Sequence, residues 1–112
     1  MDRENNMNQL RESMTPGLAM FELEAVLAAY PDLHHLQCSD CPSIEADDFY
    51  RSYLFIKNNP VDIQRSVYSL KHEAEKATGR EHITERAFVA AAVYVGYGWR
   101  EAGDNIYLKI AV

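Results

Sequence analysis

No apolar run in the chain approaches the roughly 18 residues that a membrane-spanning helix needs, so no membrane partner is expected. Cysteine is scarce. Cys38 and Cys41 are the only two, too few for the disulfide scaffold of a small secreted protein. Residues 1–6, MDRENN, lack the basic-then-apolar order of a secretory leader, and a cytoplasmic location is the expectation. Also missing are a Gly-rich phosphate loop, a Gly-x-Ser-x-Gly elbow and a His-Glu-x-x-His helix, which removes the commonest signatures of nucleotide-dependent enzymes, hydrolases and metalloproteases. The most telling gap is in charge: not one Lys or Arg lies between Arg11 and Arg51.

That gap holds Glu12, Glu22, Glu24, Asp32, Asp40, Glu45, Asp47 and Asp48, so residues 12–50 carry a charge of −8. Residues 1–11 balance, and residues 51–112 hold nine basic against seven acidic groups, which together give the formal net charge of −6. A field of that sign repels phosphate backbones and attracts basic surfaces. Direct nucleic-acid binding is therefore disfavoured.

What is present suffices for one folded unit. At 112 residues, with 47% hydrophobic and 11% aromatic side chains, the chain can bury a single core. Residues 1–14 are rich in Asn, Glu, Arg and Met with weak periodicity and read as a flexible tail or a frayed helix, leaving 15–112 as one globular domain. Thr15-Pro16 starts a helix over 18–30, with Met20, Leu23, Leu27 and Tyr30 on one stripe, and Pro31 stops it. A short strand over 18–23 is the competing reading. After an irregular stretch at 31–43, Ser43 caps a helix over 44–58 carrying Phe49, Tyr53 and Ile56. Asn59-Pro60 opens a third helix over 61–78, whose stripe is Ile63, Val67, Leu70, Ala74 and Ala77, and Gly79 closes it. Thr84 caps a fourth, to about Gly96, with so little polar surface that it belongs at the centre of the core. The period then changes to two. Ile106, Leu108, Ile110 and Val112 alternate with other residues, and residues 97–101 supply the partner strand across a turn at 102–105. The fold class is α+β: about four helices with a C-terminal antiparallel hairpin. Because a lone hairpin is marginal in water, it must lie on the helices or pair with another chain, which makes a homodimer conceivable.

Two stretches could carry chemistry. His34, His35, Cys38 and Cys41 have the residue types of a structural zinc site, since a Cys-x-x-Cys pair brings two thiolates to one tetrahedral ion and a nearby histidine can add a third ligand. A single such pair is a weak signal, and the plain alternative is a loop with two incidental thiols. A redox pair is disfavoured because no strand precedes the motif. The adjacent Asp47-Asp48 pair does not read as a catalytic acid and base, because neighbouring helical residues do not face each other. No catalytic residues are assigned. The helix pair 61–78 and 84–96 invites a helix-turn-helix reading, but residues 87–95 offer no polar face for base edges.

The acidic block is either a solvated surface or a docking face. In the second reading Glu22, Glu24, Asp40, Glu45, Asp47 and Asp48 contact a protein whose basic surface ordinarily holds nucleic acid, with fast and salt-sensitive association. In charge and size alone the chain is similar to small acidic inhibitors carried by phages and other mobile elements, anti-CRISPR proteins among them. The expectation is a non-catalytic binding protein, with a zinc-stabilised interaction module as the alternative. On that expectation, reversing Glu45, Asp47 and Asp48 to Lys abolishes binding and leaves the domain folded.

Overall fold

The computed structural model of the chain describes residues 14–110. Among the described residues four α-helices are followed by one antiparallel hairpin: α1 (Pro16–Ala29), α2 (Pro42–Asn58), α3 (Val67–Thr78), α4 (Glu85–Val95), β1 (Tyr97–Ala102) and β2 (Asn105–Ile110). A short 3₁₀ turn, Pro31–His35, links α1 to the loop before α2. This is the α+β arrangement that the change of period at residue 97 implies. The expected tail lies outside the described residues apart from Met14, which is buried in the core.

Helix α4 is the hub. Ala87, Phe88, Val89, Ala90, Ala91 and Ala92 are all fully buried, and the helix touches α1, α2, α3, the 3₁₀ turn and β1. Its small side chains let those neighbours approach closely, while Phe88 fills the remaining volume between them. Thr84 caps it as expected, its Oγ1 accepting the Ala87 N–H at 3.3 Å. Around this hub pack Leu23 and Val26 of α1, Phe49 and Ile56 of α2, and Val67 and Leu70 of α3.

Helix α1 forms where the strand alternative competed, because Pro16 at its first turn and the Leu, Ala, Glu and Met that follow favour a helix. Helix α2 starts two residues earlier than expected. Pro42 takes the first helical position and Cys41, not Ser43, is the capping residue. The larger difference is at α3, which begins at Val67 and not at residue 61. Asp62 folds the preceding segment into a turn, its Oδ1 accepting the Gln64 N–H at 2.9 Å and its carbonyl the Arg65 N–H at 3.1 Å. Ser66 then caps α3 and bridges to Tyr107 of β2, pinning the start of this helix to the hairpin.

In the hairpin Tyr97 pairs with Ile110 and Trp99 with Leu108 across a two-residue turn at Gly103-Asp104, where Gly103 takes a φ of 64°. Ile106 and Leu108 are buried, as the alternation requires. Ile110 is on the same face by alternation yet 67% exposed. Val112 lies outside the described residues.

Candidate docking site

The six acidic residues expected to form one face fall into two groups with different fates. Glu45 and Asp48 sit one turn apart on the side of α2 that meets the N-terminus of α4, and both are buried. The Glu45 carboxylate accepts Arg86 Nε at 2.7 Å and Arg86 Nη2 at 2.6 Å, a two-pronged ion pair. Asp48 accepts Arg80 Nε at 2.8 Å and the Thr84 backbone N–H at 3.2 Å. These pairs push both guanidiniums further above their ordinary value, the hydrogen bond to the carboxylate being the main cause in each. Both carboxylates thus lie at the positive end of α4, where negative charge is favoured. Asp47 is half-buried and accepts Arg51 Nε at 2.8 Å, with Arg80 Nε 3.9 Å away.

Glu45 and Asp48 are therefore parts of the frame and have no free face to offer a partner. Reversing Glu45, Asp47 and Asp48 to Lys would set three cations against Arg86, Arg51 and Arg80, and the outcome would be loss of the fold. A sequence signal for this existed: Glu45 is four residues before Phe49 and eight before Tyr53, on the core-facing stripe of α2.

The metal reading fares no better in its geometry. His34, His35, Cys38 and Cys41 are not brought together, and among the described residues no three His, Cys, Asp or Glu side chains are placed to hold a metal ion. His35 turns away to the hairpin, where its Nε2 donates to Glu101 Oε1 at 2.5 Å and its ring lies 6.2 Å from that of Trp99. The Glu101 contact raises the His35 pKa above its ordinary value. Cys41 stands at the start of α2 with its Sγ 3.2 Å from Ser43 Oγ. That hydroxyl, helped by the Ile44 backbone N–H, lowers the Cys41 thiol below its ordinary range. Cys38 and His34 are exposed, and both cysteines are free thiols. The loop owes its shape to Gln37, whose carbonyl accepts the Arg86 N–H at 2.9 Å and whose side-chain Oε1 accepts the Glu85 N–H at 3.2 Å. Gln37 thereby satisfies two of the open donors at the start of α4.

The remaining acidic residues, Glu22, Glu24 and Asp40, reach solvent, and their side chains meet no hydrogen-bonding or ionic partner among the described residues. Asp40 is on the loop, apart from the other two. Glu22 and Glu24 are on α1, a helix that is apolar on nearly every side. Ala19, Leu23 and Val26 face the core. Opposite them, Leu18, Phe21, Ala25 and Ala28 follow one another at i, i+3, i+7 and i+10, so they form a single outward stripe. Phe21 is 69% exposed and Leu18 47%. Glu22 and Glu24 border this stripe on its two sides, and α1 contains no basic residue. Apolar patches of this sort, rimmed by charge, are where soluble proteins meet partners. The sequence reading found the carboxylates of α1 but took the helix as one-sided, and so missed Leu18 and Phe21.

No protein-family model, curated protein or solved structure matches the chain. The fold and the exposed face define it as a small α+β domain with an acid-rimmed apolar helix on its surface. No helix among the described residues is long and apolar enough to cross a membrane.

Proposed function

We propose that this protein is a non-catalytic binding protein that docks through α1 on the basic surface of another protein, of the kind that handles nucleic acid. The observation that carries this reading is the outward stripe of Leu18 and Phe21 between Glu22 and Glu24, on a helix with no basic residue. Apolar anchors supply the affinity at the centre of such a contact, and the carboxylates steer association and select a basic partner. An inhibitor of a nucleic-acid-binding complex fits this chemistry, because carboxylates can occupy sites that ordinarily receive phosphates.

The test is capture by the tagged full-length chain from lysate of its native host, with nuclease present, at low and moderate salt. Phe21→Asp is run beside the wild type, and Phe21 is exposed enough for the variant to fold. The expected result is a basic nucleic-acid-binding protein that is retained by the wild type, released by salt and lost with Phe21→Asp. Retention that is indifferent to Phe21→Asp, or no retained protein, overturns the reading.

A further inference from the structure

Beside the outward stripe, a groove runs along the length of α2. Its two lobes, of about 490 Å³ and 360 Å³, share Pro16, Asp47 and Tyr50 and so join end to end. Ser43, Asp47, Tyr50, Leu54 and Asn58 of α2 line it at spacings of four, three, four and four residues. That is the repeat of a helix seam, the pattern one helix presents to another lying along it. At ~1.5 Å per residue the seam is about 22 Å long, or roughly four helical turns. Gly17, Met20 and Phe21 of α1 form one wall at one end, so the groove shares Phe21 with the outward stripe, and Ala77 and Thr78 of α3 close the other end.

The charges around this groove are not symmetric. Arg51 is occupied internally: it donates to Asp47 and to the Thr78 carbonyl. On the α1 side, Glu24 follows Gly17 and Met20 at i+7 and i+4, on the same side of the helix, and its carboxylate has no partner among the described residues. A symmetric contact of two copies through α1 would set the carboxylates of one helix against those of the other, since α1 contains no basic residue. We infer that the groove between α1 and α2 receives one amphipathic helix of the partner, with its apolar stripe on Tyr50 and Leu54 and a Lys- or Arg-bearing flank turned toward Glu24. This rests on the reading of the protein as a binding module and names the element it would recognise.

The probe is a synthetic helical peptide of about 18 residues, with leucines at i, i+3, i+7 and i+10 and lysines on one flank. A twin carries glutamates on that flank. Binding to the full-length chain is followed by fluorescence anisotropy at low ionic strength, and the site is mapped by amide chemical shifts. The lysine peptide is expected to bind about tenfold more tightly than its twin, with shifts along 43–58 and 17–24. Leu54→Lys should weaken binding by about tenfold or more. Gly17→Lys should do likewise from a position that tolerates a side chain, since a Cβ there meets only Thr15 Oγ1 at 3.9 Å. Equal affinities for the two peptides, no binding of either, or shifts confined to other surfaces would overturn the assignment. So would a dimer of the chain dissociated by Leu54→Lys, which would give the groove to a second copy. If the peptide fails while capture still depends on Phe21, the binding function stands and only the groove assignment falls.

Discussion

The ion pair between Glu45 and Arg86 makes the sharpest claim about what holds the domain together. The two side chains are 5% and 14% exposed, and two hydrogen bonds of 2.6 and 2.7 Å join them. Glu45→Ala leaves a mostly buried guanidinium without its counter-charge, a class of change that costs about 3–5 kcal/mol. Because Arg86 keeps a narrow opening to water, the lower end applies, ~3 kcal/mol. For a chain of 112 residues, an unfolding entropy of ~2.1 cal/mol/K per residue turns that loss into a fall in Tm of about 13 °C. Against a total stability of about 5–15 kcal/mol, the variant is folded but fragile. Replacing both partners by apolar residues of similar size, Glu45→Leu with Arg86→Met, removes the stranded charge and should return to within ~1 kcal/mol of the wild type. Urea and thermal unfolding followed by far-UV circular dichroism, with Trp99 emission as an independent probe from the hairpin, measures both quantities. A loss below ~1 kcal/mol for Glu45→Ala, or a double variant no better than the single one, would refute the view that this pair is shielded from solvent.

Two further outcomes follow from the loop that joins α1 to α2. Because Ser43 lowers the Cys41 thiol, Ser43→Ala should raise it again and slow alkylation of Cys41 by iodoacetamide near neutral pH; an unchanged rate, read by mass spectrometry of the labelled peptide, would count against that role. The His35 imidazole, raised by its contact with Glu101, favours the folded state below the ordinary histidine value, and this contribution is lost as pH rises through the raised value. Glu101→Gln should move the His35 titration midpoint downward in a proton NMR titration, and a midpoint that stays in place would show that Glu101 does not hold the proton.

The elements that were legible from sequence are those whose ends carry local chemistry. Thr84 and Gly96 bracket α4, and Pro31 ends α1, each for a reason that involves only a few neighbouring residues. The hairpin was legible because period-two alternation differs so plainly from the helical repeats before it. The start of α3 was misplaced because Asp62 and Ser66 compete for the backbone, and the bridge from Ser66 to Tyr107 spans 41 positions that periodicity cannot see. The acidic block lies at the surface as expected at Glu22, Glu24 and Asp40, but not at Glu45 and Asp48. Burial of Glu45 and Asp48 depends on Arg86 and Arg80, 41 and 32 residues later, and a residue count cannot show which carboxylates find such partners. What remained exposed, Glu22 and Glu24 beside Phe21, gained meaning only when the core-facing side of α1 was known.

The run of buried alanines in α4 has a consequence for how this sequence can vary. Where a core is built from leucine and phenylalanine, its weakness is the cavity left by a smaller residue. Here Ala87, Ala90, Ala91 and Ala92 have almost nothing to lose, and the damage comes from any added carbon, which forces the surrounding helices apart at a cost of about 1–3 kcal/mol. Drift in this protein should therefore be one-sided: the hub stays small while the outer layer, where Phe21 and its neighbours face solvent, is free to change with whatever it meets.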